Sequence, residues 1–123
     1  MTERKAVQTD VAPKAIGPYS QALLVGNTLY ISGQLGFDPA TGKLVDGDTA
    51  AQAEQALKNI MAILMEENMS MHNVAQVQVF LADIADFAAV NEVYKSNGTV
   101  MFFFQFVDTL TTCTTDFCFF IEH

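Results

Sequence analysis

Two short apolar, partly β-branched runs, residues 20–25 and 28–32, are separated only by Gly26-Asn27. That spacing predicts a tight hairpin, because glycine at the first turn position supplies the positive φ of a type II′ turn. Residues 35–45 hold a second turn signal, Asp38-Pro39-Ala40-Thr41-Gly42, flanked by apolar positions. The economical reading is a three-stranded meander preceded by a polar leader over residues 1–10.

The period then changes. Ala53, Ala56, Leu57, Ile60, Met61 and Leu64 form one helical stripe. Asp48 and Thr49 are the cap candidates, Gln52 stands in capping-box register with Thr49, and the helix should reach about residue 68. Val77, Val79 and Leu81 alternate with Gln76, Gln78 and Phe80, the period of a strand with one face on a core. Asp83 or Asp86 should cap a second helix whose buried side includes Phe87, Val90 and Tyr94. Residues 100–107 and 117–121 read as two final strands joined by a Thr-rich turn. The order β-β-β-α-β-α-β-β implies an α+β domain with its helices on one face of the sheet.

Length and composition narrow this further. A chain of 123 residues, half of them apolar, suits one domain over residues 1–123 that needs no disulfide or metal to hold its core. Six Lys and Arg against fourteen Asp and Glu leave a net charge of −8, which repels phosphate backbones, so nucleic-acid binding is not expected. Met1-Thr-Glu-Arg-Lys5 is followed by no apolar run of signal-peptide type, and no stretch reaches the roughly 20 apolar residues of a membrane span. The expectation is a soluble cytoplasmic protein, with mitochondria as the other open compartment. Cys113, Cys118, His72 and His123 show no metal-ligand spacing; they read as buried thiols and surface histidines, and no metal is expected.

The run Ala12-Pro-Lys-Ala-Ile-Gly17-Pro18-Tyr19-Ser20-Gln21-Ala22 closely resembles the opening motif of the Rid (YjgF-type, reactive intermediate deaminase) family. Ile31-Ser32-Gly33-Gln34-Leu35 resembles its next signature. Asp38-Pro39-x-Thr41-Gly42 and Asp86-Phe87-Ala-Ala-Val90-Asn91-Glu92-Val93-Tyr94 follow at family-like spacing, so the ordered series covers about residues 11–95. The resemblance implies a chorismate-mutase-like fold and a homotrimer with small-molecule clefts between subunits. It also implies hydrolysis of reactive enamines and imines, such as 2-aminoacrylate and 2-iminobutanoate, to 2-oxo acids and ammonia without a cofactor.

Carried over residue by residue, the resemblance has Tyr19 close over the substrate and the Gly33 N–H donate to a carboxylate. Ser32 and Asn91 fix the cleft, and Glu122 is the glutamate candidate for orienting water. Each position also has a structural reading: a Gly-Pro-Tyr bend that sets a strand edge, a serine that satisfies backbone, an asparagine bonded within its helix.

The tail departs from the family pattern. Seven of the ten phenylalanines lie between Phe102 and Phe120, and no Lys or Arg follows Lys95. Active members carry an arginine in the penultimate strand; here a gap-free alignment puts Phe102 near that position and Phe117, or Asp116, near the first family glutamate. Arg4 is the only arginine in the chain. Lys14 and Lys95 are substitute cations, but an ammonium does not reproduce the planar guanidinium fork. Genuine divergence and an altered reading of an ordinary family gene both fit residues 99–123. Three functions follow: a deaminase in the family manner; a non-catalytic trimeric module binding an apolar ligand or protein; and a ribonuclease, a label often attached to this family, which neither a basic groove nor a His pair supports.

Overall fold

A computed structural model describes residues 3–15, 20–74, 76–81, 83–96 and 117–122. Three strands, β1 (Arg4–Val7), β2 (Ala22–Val25) and β3 (Thr28–Gln34), precede helix α1 (Thr49–Glu66). Strand β4 (Gln76–Leu81), helix α2 (Phe87–Ser96) and strand β5 (Phe117–Glu122) complete the described elements. The strands form one sheet in the order β1-β2-β3-β5-β4, with every neighbouring pair antiparallel. The α+β class is as expected. The expected strand at 100–107 lies outside the described residues.

The hairpin forms at Gly26-Asn27, where Gly26 has φ 61° as the predicted turn requires. The meander differs from the sequence reading in its third member. The supposed leader supplies β1, which pairs along β2 from Arg4↔Val25 to Val7↔Ala22 and sinks Val7 into the core at 2% exposure. Residues 35–45 instead make a turn closed by the Asp38 N–H to the Lys43 carbonyl at 2.8 Å, and only one bridge, Phe37↔Leu44, joins its sides. A strand with three consecutive exposed residues and one buried one gives little period-2 signal, which is why β1 escapes a pattern search.

Alternation along β2 and β3 sorts the two sheet faces. Ala22, Leu29 and Ile31 are buried beneath the helices with Ala53, Leu57, Ile60 and Leu64 of α1 and Val90 and Tyr94 of α2, whereas Tyr30 on the other face is 43% exposed. Asp48 caps α1, its carboxylate accepting from the Ala51 N–H at 3.1 Å. The expected Thr49–Gln52 box does not form. Thr49 instead donates its hydroxyl to Asp86 at 3.0 Å, tying the start of α1 to the approach of α2, and Gln52 is buried.

At its far end α1 closes in a two-bond cap. The Met69 N–H reaches the Leu64 carbonyl at 2.9 Å and the Asn68 N–H the Met65 carbonyl at 3.0 Å, with Asn68 at φ 56°. Asp83, through its carboxylate on the Ala85 N–H, begins the short turn that leads into α2. Phe87 corrects the sequence reading: it is 38% exposed, and Val93 takes its expected place on the buried side. The first turn of α2 lies at the margin of the helix pair, so a residue in the right helical phase still misses the core.

Candidate functional site

The pairing of β3 with β5 carries one irregularity. Ile31 faces Ile121 and Gln34 faces Phe119, so β3 holds one extra residue across Ser32-Gly33. Such a bulge bends a strand and breaks its alternation. Ser32 keeps the exposed phase of Tyr30, and the extra residue turns Gln34, two positions further on, to the buried side.

A cleft of about 270 Å³ opens at this bulge, walled by residues 13–15 on one side and 32–35 with Phe37 on the other, with Ser20 and Gln21 between them. A second cavity of about 500 Å³ shares Pro13, Lys14 and Phe37 with it and extends to Asp10, Pro39 and Gly42. The first volume is just below the roughly 300–1,000 Å³ of drug-sized sites, which suits a small acid.

Three polar side chains frame the cleft. The Ser32 hydroxyl donates to the Ser20 carbonyl at 2.6 Å, while the Ser32 N–H donates to the Gln21 carbonyl at 3.0 Å. With its single proton committed, the hydroxyl offers only its lone pairs to a ligand. Gln21 is 3% exposed, and its amide accepts from the Thr9 N–H at 2.7 Å and donates to the carbonyls of Thr9 at 3.1 Å, Ala12 at 3.2 Å and Pro13 at 2.7 Å. Asn59, 1% exposed on α1, donates to the carbonyls of Leu35 at 3.1 Å and Phe37 at 2.9 Å and accepts from Gln55 at 2.9 Å. The loop that leaves β3 thus has its backbone bonded by a helix side chain instead of a neighbouring strand.

Of the residues proposed from sequence, Ser32 and Gly33 share the cleft wall. Asn91 sits half-buried on α2 and is not part of that wall. Glu122 ends β5, its backbone opposite Tyr30 and Gln76, two positions from the residue nearest the bulge. Tyr19, Phe102 and Asp116 lie outside the described residues. Phe117 starts β5 opposite Leu81. Arg4 is exposed and pairs with Val25 at the hairpin end of β2, whereas the cleft opens beyond the strand's other end.

Gln21 and Asn59 were not singled out as site residues, and Lys14 was named only with Lys95 as a substitute cation. A glutamine directly after the Gly-Pro-Tyr-Ser run, and an asparagine beside the apolar stripe of α1, were the available signals. Among the described residues, no three His, Cys, Asp or Glu side chains gather to hold a metal, and no helix is long and apolar enough to cross a membrane.

The family model described as endoribonuclease L-PSP matches residues 9–99, a span that ends where the composition of the chain changes. A 2-iminobutanoate/2-iminopropanoate deaminase of Bos taurus is 58% identical over 92 residues, covering 75% of this chain and 67% of its own length. Among solved structures, RidA from an Antarctic Psychrobacter is similar with a TM-score of 0.84 at 42% identity, over 96% of this chain and 97% of that one. E. coli TdcF with bound serine is similar with a TM-score of 0.84 at 31% identity, over 96% of each chain. Sequence and fold agree: this chain belongs to the Rid family.

Proposed function

We propose that this chain forms a homotrimer whose clefts bind small 2-imino and 2-oxo acids, and that it hydrolyses the imines to 2-oxo acids and ammonia. The observation that carries this reading is the bulged Ser32-Gly33 wall facing residues 13–15 across a cleft of small-acid size. A similar protein, TdcF, holds serine, an amino acid of that size. The half-exposed Tyr30 face of the sheet is where a second and third copy would pack.

The chemistry asks little of the protein. Water adds to the iminium carbon, forming a C–O bond while the C=N π pair moves to nitrogen. One proton passes from the added water to that nitrogen, the C–N bond breaks with its pair leaving on nitrogen as the carbonyl forms, and the remaining hydroxyl proton passes to the departing ammonia. Iminium plus water gives 2-oxo acid plus ammonium, balanced in atoms and charge. Ser32, an acceptor only, suits an iminium N–H or a hydrogen of the attacking water. The Gly33 N–H would receive the carboxylate and Tyr19 would cover the cleft. Glu122 would orient water and Asn91 would hold the cleft from a neighbouring element. The apolar Leu35 and Phe37 would take the substrate's alkyl chain.

The family arginine is the missing part. Removing a charge-assisted contact to a carboxylate costs about 1.5–3 kcal/mol, roughly ten- to a hundredfold in affinity. The expected enzyme is therefore slow. A second reading, a non-catalytic module for a more apolar ligand, is favoured by the same apolar wall and by the lone arginine lying at the far end of β2. Ribonuclease action is disfavoured by the net charge of −8.

Ammonia release from freshly generated 2-aminoacrylate and 2-iminobutanoate, measured beside a Phe102→Arg variant, separates these readings. Slow turnover by the natural chain, raised at least tenfold in the variant, is the expected result. Activity in the variant alone assigns the chain to the non-catalytic class. Inactivity of both overturns the deaminase reading.

A further inference from the structure

Gln21 fastens both walls of the cleft. Its side chain makes four bonds to the backbone of residues 9–13, and its own carbonyl receives the Ser32 N–H. Residues 9–13 have no strand partner, so a single buried amide sets where the next residue, Lys14, enters the cleft. Lys14 stands where the two cavities meet and is the only cationic side chain among the described lining residues of either. It forms no ion pair with a described residue. The two lysines that do, Lys5 with Glu67 and Lys95 with Glu92, sit away from both cavities.

We propose that Lys14 is the cation that receives the substrate carboxylate in this cleft, and that Gln21 is the positioning residue that holds it opposite Ser32 and Gly33. The proposal rests on the reading of the cleft as an acid site and names the residue that selects acids there. A carboxylate at Lys14 lies within the same walls as the Ser32 lone pairs and the Gly33 backbone, so one small molecule can meet all three. An ammonium is a point charge on a flexible stem, so it selects for negative charge without the two-point alignment of a guanidinium. It therefore binds acids more weakly and orients them less, in keeping with a slow enzyme.

The test is a titration of the isotope-labelled full-length protein, followed by amide NMR, with 2-oxobutanoate and with 2-butanone, the same skeleton lacking the carboxylate. Lys14→Met should weaken 2-oxobutanoate about five- to tenfold, the range for one partly exposed charge-assisted contact. Lys14→Arg should restore affinity to within about twofold of the natural chain or better. Neither should alter 2-butanone binding. Gln21→Met should weaken 2-oxobutanoate by a similar factor and add little on the Lys14→Met background, because both changes remove the same contact. Lys14 is exposed, so its variants report even where Gln21→Met lowers stability.

Equal 2-oxobutanoate affinity in Lys14→Met and the natural chain overturns the proposal, as does the absence of saturable binding by the natural chain. Full multiplicativity of the two changes removes Gln21 from the positioning role. The two readings also fail separately. Lys14-dependent binding without turnover sinks only the deaminase function, and turnover with a KM unchanged by Lys14→Met sinks only the assignment of Lys14.

Discussion

A methyl group at Gly36 has no room. A Cβ there would stand 2.8 Å from the Gln52 Cα, 2.9 Å from the Gln52 carbonyl oxygen and 3.0 Å from its Cβ. Two of these atoms are helix backbone, which moves only if α1 and the loop part. The backbone at Gly36 lies outside the left-handed region, so Gly36→Ala introduces a contact problem and not a torsional one. Restoring ordinary carbon contacts of about 3.5 Å needs the loop to retreat by roughly 0.7 Å. Two helical turns along the same face of α1, the Asn59 amide holds the Leu35 and Phe37 carbonyls at 3.1 and 2.9 Å. A retreat of that size stretches both bonds beyond about 3.5 Å, where they cease to count. Overpacking costs about 1–3 kcal/mol and the two bonds about 1 kcal/mol each, so the expected loss is about 3–5 kcal/mol. Urea unfolding followed by circular dichroism, at several concentrations in case oligomers contribute, should show a midpoint lower by about 1–3 M. In an Asn59→Ala background the bonds are already gone, so Gly36→Ala should cost about 2 kcal/mol less there than in the natural chain. A midpoint within about 0.3 M of the natural chain, or strict additivity of the two changes, would refute the close approach as a constraint.

Three further outcomes are expected. Asn59→Leu, similar in size, leaves the Leu35 and Phe37 carbonyls without their donor and should lower stability by about 2–3 kcal/mol in the same urea assay; a loss below about 0.5 kcal/mol contradicts the role given to the amide. Asn68, at φ 56° in the cap of α1, should tolerate glycine with a gain of about 0.5 kcal/mol but lose about 1 kcal/mol as valine, read from thermal melts; the opposite order rejects the cap. Burial holds the Tyr94 phenol above its ordinary value of 10.0. The unfolded chain therefore loses that proton first, and the contribution is fully present below about pH 10 and lost as pH rises further, by up to about 1.4 kcal/mol per pH unit. Tyr94→Phe should have a flatter stability profile above about pH 10, and parallel profiles would remove Tyr94 as the cause.

What the sequence made legible follows from how each signal is written. The Gly26-Asn27 turn, α1 and β4 are each written in a local pattern with one dominant conformation, and all three elements appear where expected. β1 was missed because only Val7 of its four residues faces the core, and a strand is then recognisable only by its partner. The Thr49–Gln52 box failed for a tertiary reason: Asp86, 37 residues away, takes the Thr49 hydroxyl. Ser32 and Gly33 were legible as site residues through family resemblance, yet the bulge they occupy against β5 is a property of two strands about 85 residues apart. Asn59 and Gln21 were illegible as framing residues because their partners are backbone carbonyls, which no side-chain motif encodes.

These framing bonds bear on how a member of this family can lack its arginine and keep its cleft. Every described residue lining the cleft falls between Pro13 and Phe37. The bonds that hold those residues run to Thr9, to Gln21 and Ser32 themselves, and to Asn59 of α1, all inside the span matched by the family model. The cleft walls therefore need β5 for the register that creates the bulge, and backbone bonds hold that register where the apolar pattern of the strand selects it, with no charged side chain required. On the proposed reading of the cleft as an acid site, selection for acids then falls to the cation that the described wall carries, Lys14.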